Sequence, residues 1–137
     1  MGEKKLYIRT SQATIDVMRI VNLTPHQLNI LDTNKFIHEF PKSENPARVS
    51  QKDDIFNYVT QPGSSNIFAV HCTVLGSEIE NLPDYDPDGT VLYVVSRIVA
   101  EAAKRIGRPT GDLLITGPSI RDENGKIIGA DGFSVIL

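Results

Sequence analysis

Short apolar–polar alternations, separated by turn-forming clusters, fill the first half of the chain. TIDVMRIVN (residues 14–22) is β-branched and apolar, and reads as a strand that ends in the polar corner NLTPH. QLNIL (27–31) alternates, with Leu28 and Ile30 on one face and Asn29 and Leu31 on the other. DTNK then supplies turn chemistry and FIHEF (36–40) alternates again, which predicts a hairpin across DTNK. PKSENP interrupts the pattern. ARVS (47–50) reads as a short strand, and QPGSS (61–65) as a loop. NIFAVHCTVLG (66–76) is the longest β-type run and is expected to be central, with a neighbour on each edge. KKLYIR, near the start, is a further candidate strand.

Beyond the polar excursion ENLPDYDPDG, TVLYVV (90–95) reads as a buried strand. At Ser96 the period changes. In SRIVAEAAKRIGRP, Ile98, Val99, Ala102 and Ile106 lie near one helical face, and Arg97, Glu101, Lys104 and Arg105 lie elsewhere. Ser96 suits an N-cap, Gly107 suits the C′ position, and Pro109 forbids continuation. DLLIT, SIRDENGKIIG and FSVIL give further strands, with DENG turning a hairpin. No repeat, linker or low-complexity segment interrupts the chain. The pattern predicts one α+β domain over residues 1–137, a mostly antiparallel β-sheet with one main helix at about 96–107 packed on it. Residues 1–17 are a candidate N-terminal extension or assembly arm.

Composition narrows the function more than the fold. A length of 137 residues suits one domain with a real core, and 40% hydrophobic with 23% charged residues is an ordinary globular balance. A net charge of −3 gives no global electrostatic case for duplex nucleic acid or an anionic membrane. Cys72 is the single cysteine, so no intrachain disulfide can form, and a reducing, cytoplasmic setting is expected. The opening MGEKKLYIRTSQ lacks the apolar core of a signal peptide, and no apolar run is long enough to span a bilayer.

Several clusters invite chemistry. Asn22 and Thr24 can build an Asx- or ST-turn that launches Pro25 and presents His26 at a rigid corner, either as a capped turn or as a polar wall for a ligand. Asp84, Asp86, Asp88 and Gly89 spell the opening of an EF-hand loop. The twelfth position of that loop is Val95 rather than Glu, so DYDPDG reads as a solvated acidic turn. His71 and Cys72 point to opposite faces of a strand and cannot pair, which leaves Cys72 as a small buried hydrophobe. His26, His38 and His71 lack ligand spacing, so no metal is expected. No nucleotide-binding glycine motif or nucleophile elbow is present.

The arginines carry more weight. Arg97 stands in the first helical turn, where a cation opposes the helix dipole unless an anion compensates. Arg48, Arg108 and Arg121 come from loops or strand ends, and guanidinium is the usual bidentate reader of phosphate or carboxylate. Ordinary ion pairs compete with that reading: Glu101 with Arg105, and Arg121 beside Asp122 and Glu123. Taken together, Asn22, Thr24, His26, Arg48, Ser96, Arg97 and Arg121 form the candidate ligand-binding set. No catalytic residue and no cofactor is assigned.

NLTPHQLNIL, ARVS, NLP, LYVVSRIVAEAAKR with RPTGDLLITG, and SIRDENGKIIGADGF resemble a family of small proteins of tailed phages, prophages and actinobacterial genomes. That family's pattern runs NLTPH, a PPSG-like turn followed by an Arg, GLP, Y-h-V-S with h apolar, R-x-D and RDExGxIhG. The resemblance covers roughly residues 18–133, a set of motifs specific together rather than singly. It brings no activity and no catalytic residues. The PPSG-like turn here reads Pro41-Lys42-Ser43-Glu44, without the glycine. The resemblance implies a phage-type accessory protein, working in the host-cell cytoplasm if phage-encoded.

The reading that follows is a non-enzymatic protein binding a small anionic, nucleotide-like ligand in a sequestering or inhibitory role, built as a homo-oligomer. Two alternatives stand beside it. One is a phosphoesterase-like hydrolase with His26 as general acid or base. The other is a virion or host-protein interaction module that presents the helix and DYDPDG as contact surfaces.

Overall fold

The computed structural model describes residues 14–137. The candidate strand KKLYIR and most of the candidate arm over residues 1–17 lie outside the described residues. In chain order the elements are β1 (Arg19–Asn22), β2 (Leu28–Leu31), β3 (Ile37–Phe40), β4 (Arg48–Val59), β5 (Phe68–Glu80), β6 (Val91–Val94), α1 (Arg97–Arg105), β7 (Leu113–Thr116), β8 (Ser119–Arg121), β9 (Ile127–Asp131) and β10 (Phe133–Ser134).

The strands form three sheets, ordered β1-β6-β7-β10, β3-β2-β9-β8 and β4-β5. Antiparallel ladders account for most paired residues, as expected, but β2 runs parallel to β9 in the second sheet, and the sheet beneath the helix departs further from that rule. There β1 runs parallel to β6 and β6 parallel to β7, with only β10 antiparallel at the edge. A parallel pair needs a crossover, and α1 supplies it between β6 and β7. TVLYVV carries the matching signature, because a strand covered on both faces alternates less than a half-exposed one. Tyr93 and Val95 face α1, within a core that also holds Val99, Ala102, Leu113 and Ile115. Leu92 and Val94 pack on the other face with Leu114, Ile20, Leu28 and Phe133.

α1 is the only helix among the described residues and has nine residues, so it is a short crossover rather than a main layer. Ser96 Oγ accepts from the Val99 N–H at 3.2 Å, the expected N-cap. At the other end Gly107 adopts φ +86°, a left-handed conformation open to glycine. Its N–H donates to Lys104 O, and the Arg108 N–H donates to Ala103 O, which completes a Schellman motif. The buried face is Val99, Ala100, Ala102 and Ala103. Ile98 and Ile106, expected inside, are 50% and 46% exposed. Ile106 is the C-cap, already outside the helical repeat, and Ile98 lies one position off the stripe that touches the sheet.

The helix end is tied to β7 by a buried ion pair. Arg108 Nη1 and Nη2 donate to the two Asp112 carboxylate oxygens, each at 2.9 Å, and Asp112 is only 1% exposed. The guanidinium also donates to Pro83 O and Pro109 O. Arg108 is therefore a structural residue whose partners satisfy a charge that burial alone would penalise.

The hairpin expected across DTNK joins β2 to β3 in the register Leu28↔Phe40 to Leu31↔Ile37. Asp32 organises its turn. It accepts from the Asn34 and Phe36 N–H groups and pairs with His38 Nε2 at 2.8 Å. The His38 hydrogen bond, aided by those backbone donors, holds the Asp32 carboxyl below its ordinary value. DENG turns the β8–β9 hairpin as read. TIDVMRIVN yields a strand only from Arg19 onward.

The largest departure is the pair β4 and β5. ARVS is the root of a 12-residue strand, and β5 runs 13 residues beside it. The expected central strand therefore has one neighbour, in a two-stranded ribbon that is exposed along most of its length. Cys72, expected to be buried, is exposed.

Ala102 is 1% exposed against the sheet. Ala102→Asp should place an unpaired carboxylate there and lower unfolding free energy by about 3 kcal/mol or more in urea titration. A loss under about 1 kcal/mol would contradict the packing of α1 described above.

Candidate functional site

The corner NLTPH is wired from its first residue. Asn22 is buried, and its Oδ1 accepts from the Thr24 N–H at 2.9 Å and from the Thr24 hydroxyl at 2.7 Å. Its Nδ2 donates to His26 O at 2.8 Å, to Pro41 O at 2.9 Å and, at the longer 3.3 Å, to Phe40 O. One side chain thus closes the local Asx-turn and clasps the end of β3, 18 and 19 positions along the chain. The backbone continues the wiring. Leu23 donates to Val94 O, Leu23 O accepts from Ala47 N, and Thr24 O accepts from Ser43 N. These bonds fix the corner against β6 and place the start of β4 beside it.

The outer side of this corner forms one wall of a cleft of about 720 Å³. Thr24, Pro25 and His26 make that wall. Ser96, Arg97 and Ile98 of the helix N-terminus face it, and Arg48, Gln51, Glu80 and Thr116 close the sides. The floor is apolar, with Leu28, Val49, Val95 and Ile115. The cleft lies where β1, β6 and β7 all end at their carboxyl termini. Open parallel sheets commonly bind ligands at that edge, because the chain there leaves the sheet in loops and helix starts.

Its electrostatics are mixed but favour an anion. The first turn of α1 presents N–H groups without intrahelical acceptors, of which Ser96 Oγ covers only that of Val99. Arg97 adds a guanidinium, held only loosely by Glu101 at 3.5 Å with both side chains more than half exposed. Glu101 therefore faces Arg97 rather than Arg105. Arg48 stands in the first rung of the ribbon, opposite Glu80, with no carboxylate within 4.0 Å among the described residues.

Five of the seven residues singled out from the sequence therefore meet at one cleft: Thr24, His26, Arg48, Ser96 and Arg97. Two do not line it. Asn22 sits behind the wall, with its amide committed to the chain's own carbonyls. Arg121 donates to Gly125 O at 2.7 Å within its own hairpin. Thr24 lines the cleft, but its hydroxyl proton is directed at Asn22, so it shapes the wall more than it offers a donor. Sequence reasoning missed Ile98, Gln51, Glu80 and Thr116. The unbroken apolar run TVLYVV followed by a capped helix was the available signal for Ile98 and Thr116, since that succession marks a βαβ crossover. Gln51 and Glu80 come from the ribbon's root, which no local pattern announces.

The other motifs lie elsewhere. Asp86 accepts from the Asp88 N–H and the Thr90 hydroxyl, so it caps its own turn. His71 pairs with Asp53 on the ribbon at 3.0 Å. No cluster of three or more His, Cys, Asp or Glu with metal-holding geometry occurs among the described residues. No helix among them is long and apolar enough to cross a membrane. Comparisons with protein families, curated proteins and solved structures give no match for this chain.

Asn22→Asp would point a carboxylate oxygen at carbonyl oxygens where an amide now donates. Unfolding free energy should drop by about 2–3 kcal/mol, because partly buried carbonyls lose their donor and a charge is buried unpaired at residue 22. Urea titration checks this, and a variant as stable as the parent would show that the amide does not hold the corner.

Proposed function

We propose that the chain is a non-enzymatic binding protein that holds a small anionic ligand, nucleotide-like in size, in the cleft at the Ser96 helix start, and acts by sequestering it. The convergence of Arg97, Arg48 and the first turn of α1 on one cleft is the observation that carries this reading. A volume of about 720 Å³ falls among those of small-molecule sites, which run about 300–1,000 Å³. The apolar floor suits a base or other flat group, and the cationic rim suits a phosphate. A sequestering role fits the resemblance to phage accessory proteins, by analogy alone.

The magnitudes place the weight on the arginines. A helix terminus contributes about 0.3–1 kcal/mol towards an exposed anion. A charge-assisted hydrogen bond contributes about 1.5–3 kcal/mol. The binding reading is preferred to a hydrolase because, although Asn22 and Thr24 hold its backbone, no carboxylate among the described residues orients the side chain of His26. Its imidazole makes no ion pair with a carboxylate among the described residues, and no hydroxyl nucleophile is hydrogen-bonded to it.

Calorimetry with nucleotides, cyclic nucleotides and phosphosugars tests the proposal. Arg97→Ala should weaken binding by about 1.5–3 kcal/mol while leaving the fold intact. His26→Ala should weaken it less, because the imidazole lines the wall without the fixed positive charge of a guanidinium. If none of these ligands binds, or if Arg97→Ala binds as the parent does, the proposal is wrong.

A further inference from the structure

The root of the β4–β5 ribbon helps to line the anion cleft, but its outer part extends away from it, and the surface there is unlike the rest of the molecule. Outward from the rung Gln51↔Leu75, nearly every side chain is exposed. Phe56, Tyr58 and Phe68 are 73%, 59% and 55% exposed, alongside Ile55, Val59, Ile67, Val70, Val74 and Leu75. These side chains lie on both faces of the ribbon. A lone two-stranded ribbon is marginal in water, and a third or fourth strand is what gives such a ribbon stability of its own.

The two edges of the ribbon differ in a way that identifies which of them takes a further strand. β4 carries Lys52, Asp53 and Asp54 in mid-strand, the charges that usually discourage edge pairing. β5 carries no Lys, Arg, Asp, Glu or Pro from Phe68 to Ser77. Its edge is the unguarded one, and its pattern is self-complementary. Phe68, Val70, Cys72 and Val74 alternate onto one face, and the uncharged run is centred on Cys72. An antiparallel strand can pair with its own copy about a two-fold axis.

We infer that two copies of this chain join through antiparallel pairing of their β5 edges, with the two-fold axis beside Cys72. In that register Cys72 lies opposite the partner's Cys72, Val70 opposite the partner's Val74, and Phe68 opposite the partner's Gly76. The two ribbons become one four-stranded sheet in which the apolar residues of the two β5 strands lie side by side, flanked on the same face by Lys52, Asp54, Asn57 and Val59 of β4. The charged strand β4 becomes the new outer edge. Neither Ser96 nor Arg97 takes part, and the cleft residues that the ribbon supplies, Arg48, Gln51 and Glu80, lie on β4 or beyond the paired segment of β5. Directly opposed residues of an antiparallel pair have Cα atoms about 4.5–5.5 Å apart, within the span a disulfide bridges. Cys72 therefore reports the register.

Sedimentation equilibrium and mild oxidation of the full chain test the inference together. The parent should sediment at twice the 15.1 kDa chain mass and form a Cys72–Cys72 cross-linked dimer on oxidation. Val74→Lys should halve the sedimenting mass and abolish the cross-link, with circular dichroism of the remaining fold retained because Val74 lies outside both cores. Cys72→Ser should keep the doubled mass. A parent that sediments as a monomer at tens of micromolar, a dimer indifferent to Val74→Lys, or a dimer whose Cys72 residues fail to join overturns it.

Discussion

The side-chain amide of Asn22 is the contact on which the arrangement of this molecule turns. Its oxygen takes both donors of Thr24, and its nitrogen reaches back to His26 O and across to the end of β3. β1 belongs to the sheet beneath the helix, whereas β2 and β3 belong to the other sheet. The chain must therefore turn from one sheet into the next within the five residues between β1 and β2. A turn that tight leaves polar backbone groups partly shielded from water, and a fully buried one such as the Thr24 N–H would cost about 1–3 kcal/mol if unmet. Asn meets several of them at once, and neither Asp nor Ala could. Pro25 then removes the remaining backbone freedom, so the outer face of the corner is rigid before any ligand arrives.

That rigidity is useful because of what stands opposite. Leu23 is bonded to β6 and to Ala47, so the corner, the helix start and the root of β4 are held in one frame. The carboxyl ends of three parallel strands, the open N–H groups of α1 and two arginines then face one space. No single one of these features would define a site. A helix start alone attracts anions weakly, and a lone surface arginine is commonly tied up in a modest ion pair. Their joint placement, fixed by hydrogen bonds within the chain behind the cleft, is the stronger statement. Glu80 lines the same cleft and pairs in register with Arg48, so in the proposed site it would oppose excess negative charge there.

Much of this was legible in the sequence where the governing physics is local. Ser96 and Gly107 mark the helix because capping depends on a few neighbouring residues. DTNK and DENG mark hairpins for the same reason. The corner was recognisable as a turn, but the role of Asn22 was not, since two of its partners lie 18 and 19 positions away. The pairing of β1 with β6 is equally non-local, and alternation cannot tell a parallel neighbour from an antiparallel one. Ile98 was misplaced because one residue of helical phase separates the sheet-facing stripe from the cleft. The β5 run was misplaced because apolar residues in a strand signal burial by something, and the sequence does not say whether that something lies in the same chain. Asn22 and Arg121 show the converse limit: both have side chains suited to a ligand, and both are bound to their own backbone.

The central claim is that a corner held by Asn22 and the start of α1 together form a pre-built anion site. Amide chemical shifts recorded by NMR during a titration with inorganic phosphate and then a nucleoside monophosphate test it most directly. Saturable shifts should concentrate at the N–H groups of Arg97 and Ile98 and at His26 and Arg48, with the Asn22 side-chain amide signals little changed. Shifts confined to other surfaces, or an Asn22 amide that rearranges as ligand is added, would contradict it.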